Sequence, residues 1–150
     1  FGCERDTLFT REEQKTMMTL WCIFGSPLML GAEMTMLDEW TLSLLQKEEL
    51  LRLENGSFVS RQVLRDDDRC VWASVDPKTG EHYIALFNLR DEPQQICVSL
   101  DECSAMFPDG YVTGSAEEMK EVWSGDILQI VDAAVQAEVP PHGVLLLHAI

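Results

Sequence analysis

The chain has 150 residues, enough for one domain or two small ones, and its apolar fraction of 46% supports a packed core and excludes a disordered chain. Acidic residues outnumber basic ones 26 to 11, giving a net charge of −15, so neither nucleic acid nor an anionic membrane surface is an expected partner. Its apolar runs also fall well short of the roughly 20 residues that a membrane-spanning helix needs.

The first predicted element is an α-helix that begins near residue 10. Thr10 followed by Glu13 has the spacing of a capping box, in which each side chain binds the backbone amide of the other residue. Apolar residues at helical spacing predict the buried face of this helix. They are Met17, Leu20, Trp21 and Phe24. Gly25 is predicted to end the helix, because Pro27 prevents its continuation.

A short strand and a second helix are predicted next. The apolar run Leu28–Leu30 is typical of a buried parallel strand, and Asp38 is predicted to cap a helix that ends at Asn55–Gly56. A helix that leads into such a strand is the repeat unit of an α/β barrel. One unit cannot close a barrel, so a chain that starts at Phe1 is expected to be the last part of a larger protein.

The pattern changes after residue 56, where short segments rich in β-branched and aromatic residues alternate with turns. The predicted strands are 57–64, 69–75, 82–88, 95–100, 111–113, alternating positions within 127–139, and 144–148. Residues 115–119 are predicted to form a single helical turn. Strands of this length with turns every 8 to 12 residues indicate an antiparallel sandwich.

Five cysteines lie at positions 3, 22, 70, 97 and 103 without a C-x-x-C pair, and the three histidines are not grouped near them. These spacings match no zinc motif, so neither a metal site nor a cofactor is expected. The odd number favours free thiols and a cytoplasmic location. Cys22 and Cys97 fall within apolar patterns and are predicted to be small core residues.

Seven segments together resemble a known family. In the first part of the chain they are Leu8–Gln14, Leu20–Phe24, Ser26–Glu33 and Gln46–Leu50. In the second part they are Cys70–Trp72, Ala85–Asn88 and Pro141–Leu146. In this order and spacing they resemble the C-terminal end of glycoside hydrolase family 27, the melibiase-type α-galactosidases and α-N-acetylgalactosaminidases.

The resemblance implies an α+β chain of two parts. Residues 1–56 would be the last helix–strand–helix of a (β/α)8 barrel, and residues 57–150 an appended antiparallel β-sandwich. Family members hydrolyse terminal α-galactoside-type carbohydrates with retention, using a nucleophile and an acid/base that are both aspartates. The resemblance places both aspartates on earlier barrel strands and matches neither to a residue here. The chain is therefore expected to be a C-terminal fragment that has no catalytic residue and is inactive alone.

Glu33 is the one candidate substrate-binding residue. It follows the predicted barrel strand, where side chains face a substrate. The alternative is a charged residue that begins a loop. Adjacent acids occur at 12/13, 48/49 and 117/118, but neighbours on a helix point about 100° apart and are not expected to act on one bond.

Two further functions remain open from the sequence. The sandwich could be a non-catalytic module that binds carbohydrate, or a domain for protein interaction. In the second case, the apolar surface of residues 17–51 needs a partner when other barrel strands are missing. A homodimer through that surface is therefore predicted.

Overall fold

The computed structural model describes residues 6–107 and 117–149. Three helices come first: α1 (Arg11–Phe24), α2 (Glu39–Leu45) and α3 (Glu48–Asn55), with a short 3-10 turn at Met34–Met36 between α1 and α2. The strands are β1 (Val59–Arg65), β2 (Arg69–Val75), β3 (His82–Asn88), β4 (Gln94–Ser99), β5 (Glu118–Glu121), β6 (Ile127–Gln129), β7 (Ala134–Val139) and β8 (Val144–Ala149). A fourth helix, α4 (Leu100–Ala105), follows β4.

Within these residues the strands form two antiparallel sheets. The larger has six strands in the order β1-β2-β3-β8-β5-β6, and the smaller pairs β4 with β7. One core lies between the two sheets and α4, and a second lies between the larger sheet and helices α1 to α3. The larger sheet is therefore the middle of three layers, and the predicted antiparallel sandwich is confirmed.

Strand β3 shows why this sheet is central. All seven of its residues are buried, and successive side chains point to opposite faces of the sheet. Ile84 and Leu86 join the core between the sheets, whereas Tyr83, Ala85 and Phe87 join the core under the helices. An uninterrupted apolar run suits a strand that is covered on both faces.

Helix α1 begins as predicted but buries a different face. Thr10 Oγ1 accepts from the Glu13 amide at 3.2 Å, and Glu13 Oε2 accepts from the Thr10 amide at 2.6 Å, so the capping box is confirmed. The buried residues are Met18, Thr19, Cys22 and Ile23. The predicted buried face is wrong, because α1 has apolar residues on two faces and spacing alone does not say which one packs.

The predicted strand at Leu28–Leu30 is not formed, so the structure does not confirm the barrel segment. Residues 26–31 have no regular secondary structure, and Met29 is 79% exposed. A strand needs neighbours for its amide and carbonyl groups, and none lies beside these residues in the described part of the chain. The cap at Asp38 is confirmed, since its Oδ1 accepts from the Thr41 amide at 2.8 Å, but the predicted second helix is divided into α2 and α3.

The region around residues 99–121 departs most from expectation. Residues 111–113 lie outside the described residues, as do residues 115 and 116 of the helical turn predicted at 115–119. The rest of that turn is not helical, because Glu118 and Met119 begin β5. Helix α4 was not predicted, although Ser99 and Glu102 form its capping box. Ser99 is also the last residue of β4. Because the residues before it have a strand pattern, the capping box was not recognised as the start of a helix.

Candidate functional site

Helix α1 presents an uncovered apolar face. Met17, Leu20 and Phe24 are three or four residues apart, as on one side of a helix, and Phe24 is 60% exposed. The next segment adds Met29, Leu30, Met34 and Met36, all of them exposed. We call these seven residues the open apolar strip. Exposed apolar groups concentrated in one part of a chain mark an interaction surface.

The segment after α1 is held by two hydrogen bonds, although it is not a strand. Trp21 Nε1 donates to the Pro27 carbonyl at 3.0 Å. The Leu28 amide donates to Glu54 Oε1 at 3.2 Å. Trp21 lies on α1 and Glu54 on α3, so both helices fix the position of the segment that leads to Glu33.

Glu33 lies at the start of the 3-10 turn and caps it. Its Oε1 accepts from the Thr35 hydroxyl at 2.8 Å and from the Thr35 amide at 3.2 Å. These hydrogen bonds lower the pKa of the exposed Glu33 carboxyl below its ordinary value. They are the contacts of a turn cap, and a substrate-binding role for Glu33 stays a prediction.

The helices and the sandwich are joined by directional contacts in addition to the apolar core. Trp123 Nε1 donates to Thr19 Oγ1 at 3.0 Å, and Thr16 Oγ1 donates to the His142 carbonyl at 2.8 Å. The His142 imidazole lies 2.7 Å from the Asp91 carboxylate. That contact lies within the sandwich, so His142 meets the helical part of the chain through its carbonyl rather than its ring.

A group of charged and aromatic side chains lies where α3 meets the larger sheet. The Glu81 side chain, only 11% exposed, accepts from Tyr83 Oη at 3.1 Å and from His148 Nε2 at 2.9 Å, and it forms an ion pair with Arg52. The Tyr83 and His148 rings stack at 4.5 Å. Burial first, then the Glu81 charge, raise the pKa of Tyr83. We call these four residues the Glu81 cluster.

Four of the six adjacent acids make side-chain contacts that serve the fold in the described structure. Their partners are Lys15 for Glu12 at 2.8 Å, Thr10 for Glu13, Lys120 for Glu49 at 3.6 Å and Gln129 for Glu118 at 2.6 Å. These contacts cap helices or link neighbouring elements. They assign none of the four carboxylates to catalysis.

A groove of about 480 Å³ lies on the outer face of the β4–β7 sheet. Its lining is Gln95, Gln129, Val131, Asp132, Ala134 and Gln136. Along β4, Gln95 points outward while the next residue, Ile96, is buried in the core. The backbone of Asp132 has a positive φ of 53°, which turns the chain tightly between β6 and β7. The groove therefore gathers neutral amide groups with one carboxylate.

The cysteines of the described residues are free thiols. Burial raises the pKa of Cys22 and of Cys103 to about 12. Cys22 is a core residue as predicted, whereas Cys97 is exposed, so its predicted core position is wrong. Cys97 lies on the outer face of β4, because the register there turns the neighbouring Ile96 and Val98 inward.

Residues 6–107 and 117–149 present neither a metal-binding cluster nor a helix that could span a membrane. No group of His, Cys, Asp or Glu in these ranges is placed to hold a metal ion. Over the same ranges, the helices are too short or too polar to cross a bilayer.

Known proteins that are similar to this chain in sequence and structure include glycoside hydrolases. A β-L-arabinopyranosidase of glycoside hydrolase family 27 from Geobacillus stearothermophilus superposes over 99% of this chain with a TM-score of 0.83 and 37% identity. A Bacillus halodurans protein provisionally assigned as an α-N-acetylgalactosaminidase gives the same TM-score, 38% identity and 99% coverage. A probable alpha-galactosidase D of Aspergillus oryzae is 29% identical over 90% of this chain.

The chain corresponds to only part of each relative. It spans 32% of the Geobacillus protein, 33% of the Bacillus protein and 20% of the Aspergillus protein. The alpha galactosidase C-terminal beta sandwich domain matches residues 66–149, which include all the strands described above except β1. This chain therefore belongs to the family of alpha-galactosidase C-terminal β-sandwich domains and corresponds to the C-terminal part of a glycoside hydrolase of family 27.

Proposed function

We propose that this chain is the C-terminal part of a retaining glycoside hydrolase that acts on terminal α-galactoside-type sugars. In this proposal residues 1–56 complete a (β/α)8 barrel and residues 57–150 form the appended sandwich. The 37% identity to a family 27 enzyme over 99% of this chain supports it, as does the small share of that enzyme that the chain spans.

The observation that carries the proposal is the pair of apolar faces on α1. One face, with Met18, Cys22 and Ile23, packs against the sheet, and the other, with Met17 and Leu20, is open. A helical segment with apolar residues on two faces is suited to lie between two layers. The remainder of the barrel is the second layer in our proposal. In the isolated chain, a second copy covers the open apolar strip and gives a homodimer.

Catalysis in this proposal depends on residues that the chain does not supply. Retaining hydrolysis needs two carboxyl groups about 5 to 5.5 Å apart, one as nucleophile and one as acid/base. The acids examined above are engaged in caps and ion pairs, which supports a structural role for them. We propose that the preceding barrel strands supply the aspartates, and that Glu33 lies on the rim of the pocket they form.

A chimaera tests this proposal directly. The purified chain is assayed for nitrophenol release from an α-galactoside and a β-L-arabinopyranoside, alone and after it replaces the matching third of the Geobacillus enzyme. We expect no turnover by the chain alone and turnover by the chimaera. A Leu20→Glu chimaera is the matched control, and we expect it to lose folding or activity. Turnover by the isolated chain that disappears in Glu33→Gln would refute the proposal.

The groove on the β4–β7 sheet favours a second candidate, a non-catalytic carbohydrate-binding module. Side-chain amides both donate and accept, as sugar hydroxyls do, and Gln95, Gln129 and Gln136 converge there with the Asp132 carboxylate. Titration with methyl α-galactoside, followed by amide chemical shifts, tests it. Saturable shifts around the groove that Gln136→Ala removes and Gln62→Ala on β1 retains support this candidate. An unchanged spectrum excludes it.

We also propose a reducing, cytoplasmic setting for the chain. The free thiols of Cys22, Cys70, Cys97 and Cys103 support this, since disulfides are favoured in oxidising compartments. Localisation of the tagged full-length protein in its own cells tests the proposal, and recovery from the secreted fraction would contradict it.

A further inference from the structure

The end of helix α3 brings together two residues that can react with each other. Asn55 is the last residue of α3 and Gly56 follows it, and both are exposed. An asparagine side chain that precedes glycine can close into a cyclic imide, because glycine has no Cβ to keep its backbone nitrogen away from the side-chain carbonyl carbon. The chain has one other asparagine, Asn88, which is followed by leucine.

The backbone amide of Gly56 is available for this reaction. It makes no hydrogen bond to any residue in the described part of the chain. By contrast, Gly25 and Gln46, in the same position after α1 and α2, each donate to a preceding carbonyl. An exposed amide that the fold leaves unpaired can lose its proton to hydroxide, and its nitrogen is then a nucleophile.

Residue 56 has to be glycine for a packing reason. A Cβ atom there would lie 2.6 Å from Cδ2 of Phe58 and 2.7 Å from the Arg52 carbonyl oxygen, closer than such atoms approach. The Phe58 ring has little room to move aside, because it packs edge-on against the buried Tyr83 ring with the centroids 5.5 Å apart. The fold therefore keeps the least hindered residue next to Asn55.

We propose that Asn55 is a site of spontaneous deamidation and that the product weakens the last turn of α3. The Gly56 nitrogen bonds to the side-chain carbonyl carbon of Asn55, the bond from that carbon to Nδ2 breaks, and ammonia leaves with the proton of the Gly56 amide. Water then opens the cyclic imide at either carbonyl, which gives aspartate or isoaspartate. The reaction needs no reagent besides water. The inference goes beyond the proposed function and does not depend on it.

The unreacted side chain stabilises the end of α3. Asn55 Nδ2 donates to the Leu51 carbonyl at 2.8 Å and so pairs one of the carbonyl groups that a helix end leaves free. A carboxylate only accepts hydrogen bonds, so the product leaves this carbonyl without its side-chain donor. The new negative charge also lies at the carboxyl end of α3, where the helix dipole opposes it.

The same turn holds the segment that follows α1. Glu54 Oε1 accepts from the Leu28 amide at 3.2 Å, while Oε2 of Glu54 is buried and has no hydrogen-bond partner among the described residues. A second carboxylate directly after Glu54 raises the cost of keeping this charge buried. We therefore expect the end of α3 and the anchor of Leu28 to loosen together as the chain ages.

Peptide mapping of the aged chain tests the chemical step. The intact chain is kept at pH 6 and at pH 8 for several weeks and then digested with trypsin beside an unaged sample. We expect peptide 53–61 to gain the mass difference between an amide and a carboxylic acid, faster at pH 8, and to yield isoaspartate as well as aspartate. An unchanged peptide 53–61, or aspartate without isoaspartate, overturns the proposal.

Peptide 79–90, which contains Asn88, is the internal control. Asn88 is buried, and its Nδ2 lies within hydrogen-bond distance of three carbonyl oxygens. We expect this peptide to stay unchanged in the same digests. Equal conversion of the two asparagines would show that neither Gly56 nor exposure directs the reaction, and would overturn the assignment to Asn55.

Two substitutions test the structural step. Asn55→Asp introduces one of the products, and Asn55→Ser is the matched control, because a serine hydroxyl can donate to the same carbonyl and does not deamidate. We expect the amides in the last turn of α3 to exchange with solvent about fivefold faster in Asn55→Asp than in the wild-type chain, with Asn55→Ser close to wild type. Equal exchange in all three chains overturns the structural effect. Should Asn55→Asp not fold, the aged wild-type chain, separated by its added charge, provides the same comparison.

Discussion

The hydroxyl of Thr19 accepts a 3.0 Å hydrogen bond from the indole N–H of Trp123, a residue 104 positions further along the chain. Thr19 is fully buried on α1, and Trp123 follows β5. Buried polar groups need hydrogen-bond partners, and the indole N–H provides one for the Thr19 hydroxyl. The contact therefore fixes the orientation of α1 on the sheet, which the apolar core alone would leave less specific.

Replacement of Thr19 by valine tests this contact. Valine has nearly the same shape but accepts no hydrogen bond, so the Trp123 N–H is left without a partner. We expect the free energy of unfolding to fall by about 1–3 kcal/mol. Urea denaturation followed by tryptophan fluorescence measures the change. Thr19→Ser keeps the hydroxyl and should lose less, and equal losses in both variants would contradict the assignment.

The open apolar strip should control self-association of the isolated chain. We expect light scattering to show a dimer for the wild-type chain and a monomer for Leu20→Glu, with little change in the free energy of unfolding because Leu20 is 41% exposed. Ile127→Glu is the matched control, since Ile127 is 48% exposed on β6 but lies outside the strip. A wild-type chain that stays monomeric at high concentration would count against the strip as a dimer interface.

The buried carboxylate of Glu121 should stabilise the turn after β5. Its oxygens accept from the Ser124 amide at 2.5 Å and from the Leu146 amide at 3.2 Å. Glu121→Gln places an amide nitrogen against one of these donors, and we expect a loss of about 2 kcal/mol in the free energy of unfolding. Thermal unfolding provides the measurement. Glu117→Gln at an exposed site should have almost no effect, and comparable losses in the two variants would exclude the role given to Glu121.

Thiol reactivity should distinguish the cysteines. Cys97 is exposed, whereas burial raises the pKa of Cys22 and Cys103 to about 12 and leaves little thiolate at pH 8. With a disulfide reagent at pH 8, we expect Cys97→Ser to remove one fast-reacting thiol and Cys103→Ser to remove none. Rapid reaction of Cys103 in the folded chain would be inconsistent with its burial.

Local signals in the sequence were sufficient for the features that depend on a few neighbouring residues. The capping box of Thr10 and Glu13 and the cap at Asp38 are confirmed, because each depends on a hydrogen bond across three positions. The strands predicted at 69–75 and 82–88 are confirmed as well, and they pair as a hairpin whose tight turn places Gly80 at a positive φ of 78°. These features need no information from distant parts of the chain.

Features that depend on partners far along the chain could not be predicted. The apolar residues of α1 fit two faces, and only the sheet determines that Ile23 rather than Leu20 is buried. The predicted strand at Leu28–Leu30 needs neighbours that the described residues do not provide. The Glu81 cluster could not be predicted for the same reason, since Glu81 meets Arg52 and His148 only after the sheet has assembled.

The strand order has a consequence for how the molecule is made. Strand β8 follows all other described strands in the chain, yet it lies between β3 and β5 in the larger sheet. Until residues 144–149 have left the ribosome, β1 to β3 and the β5–β6 hairpin remain two separate pieces, each with an unpaired edge. A nascent chain stalled before this point would expose both edges to aggregation, and synthesis of the last six described residues closes them in one step.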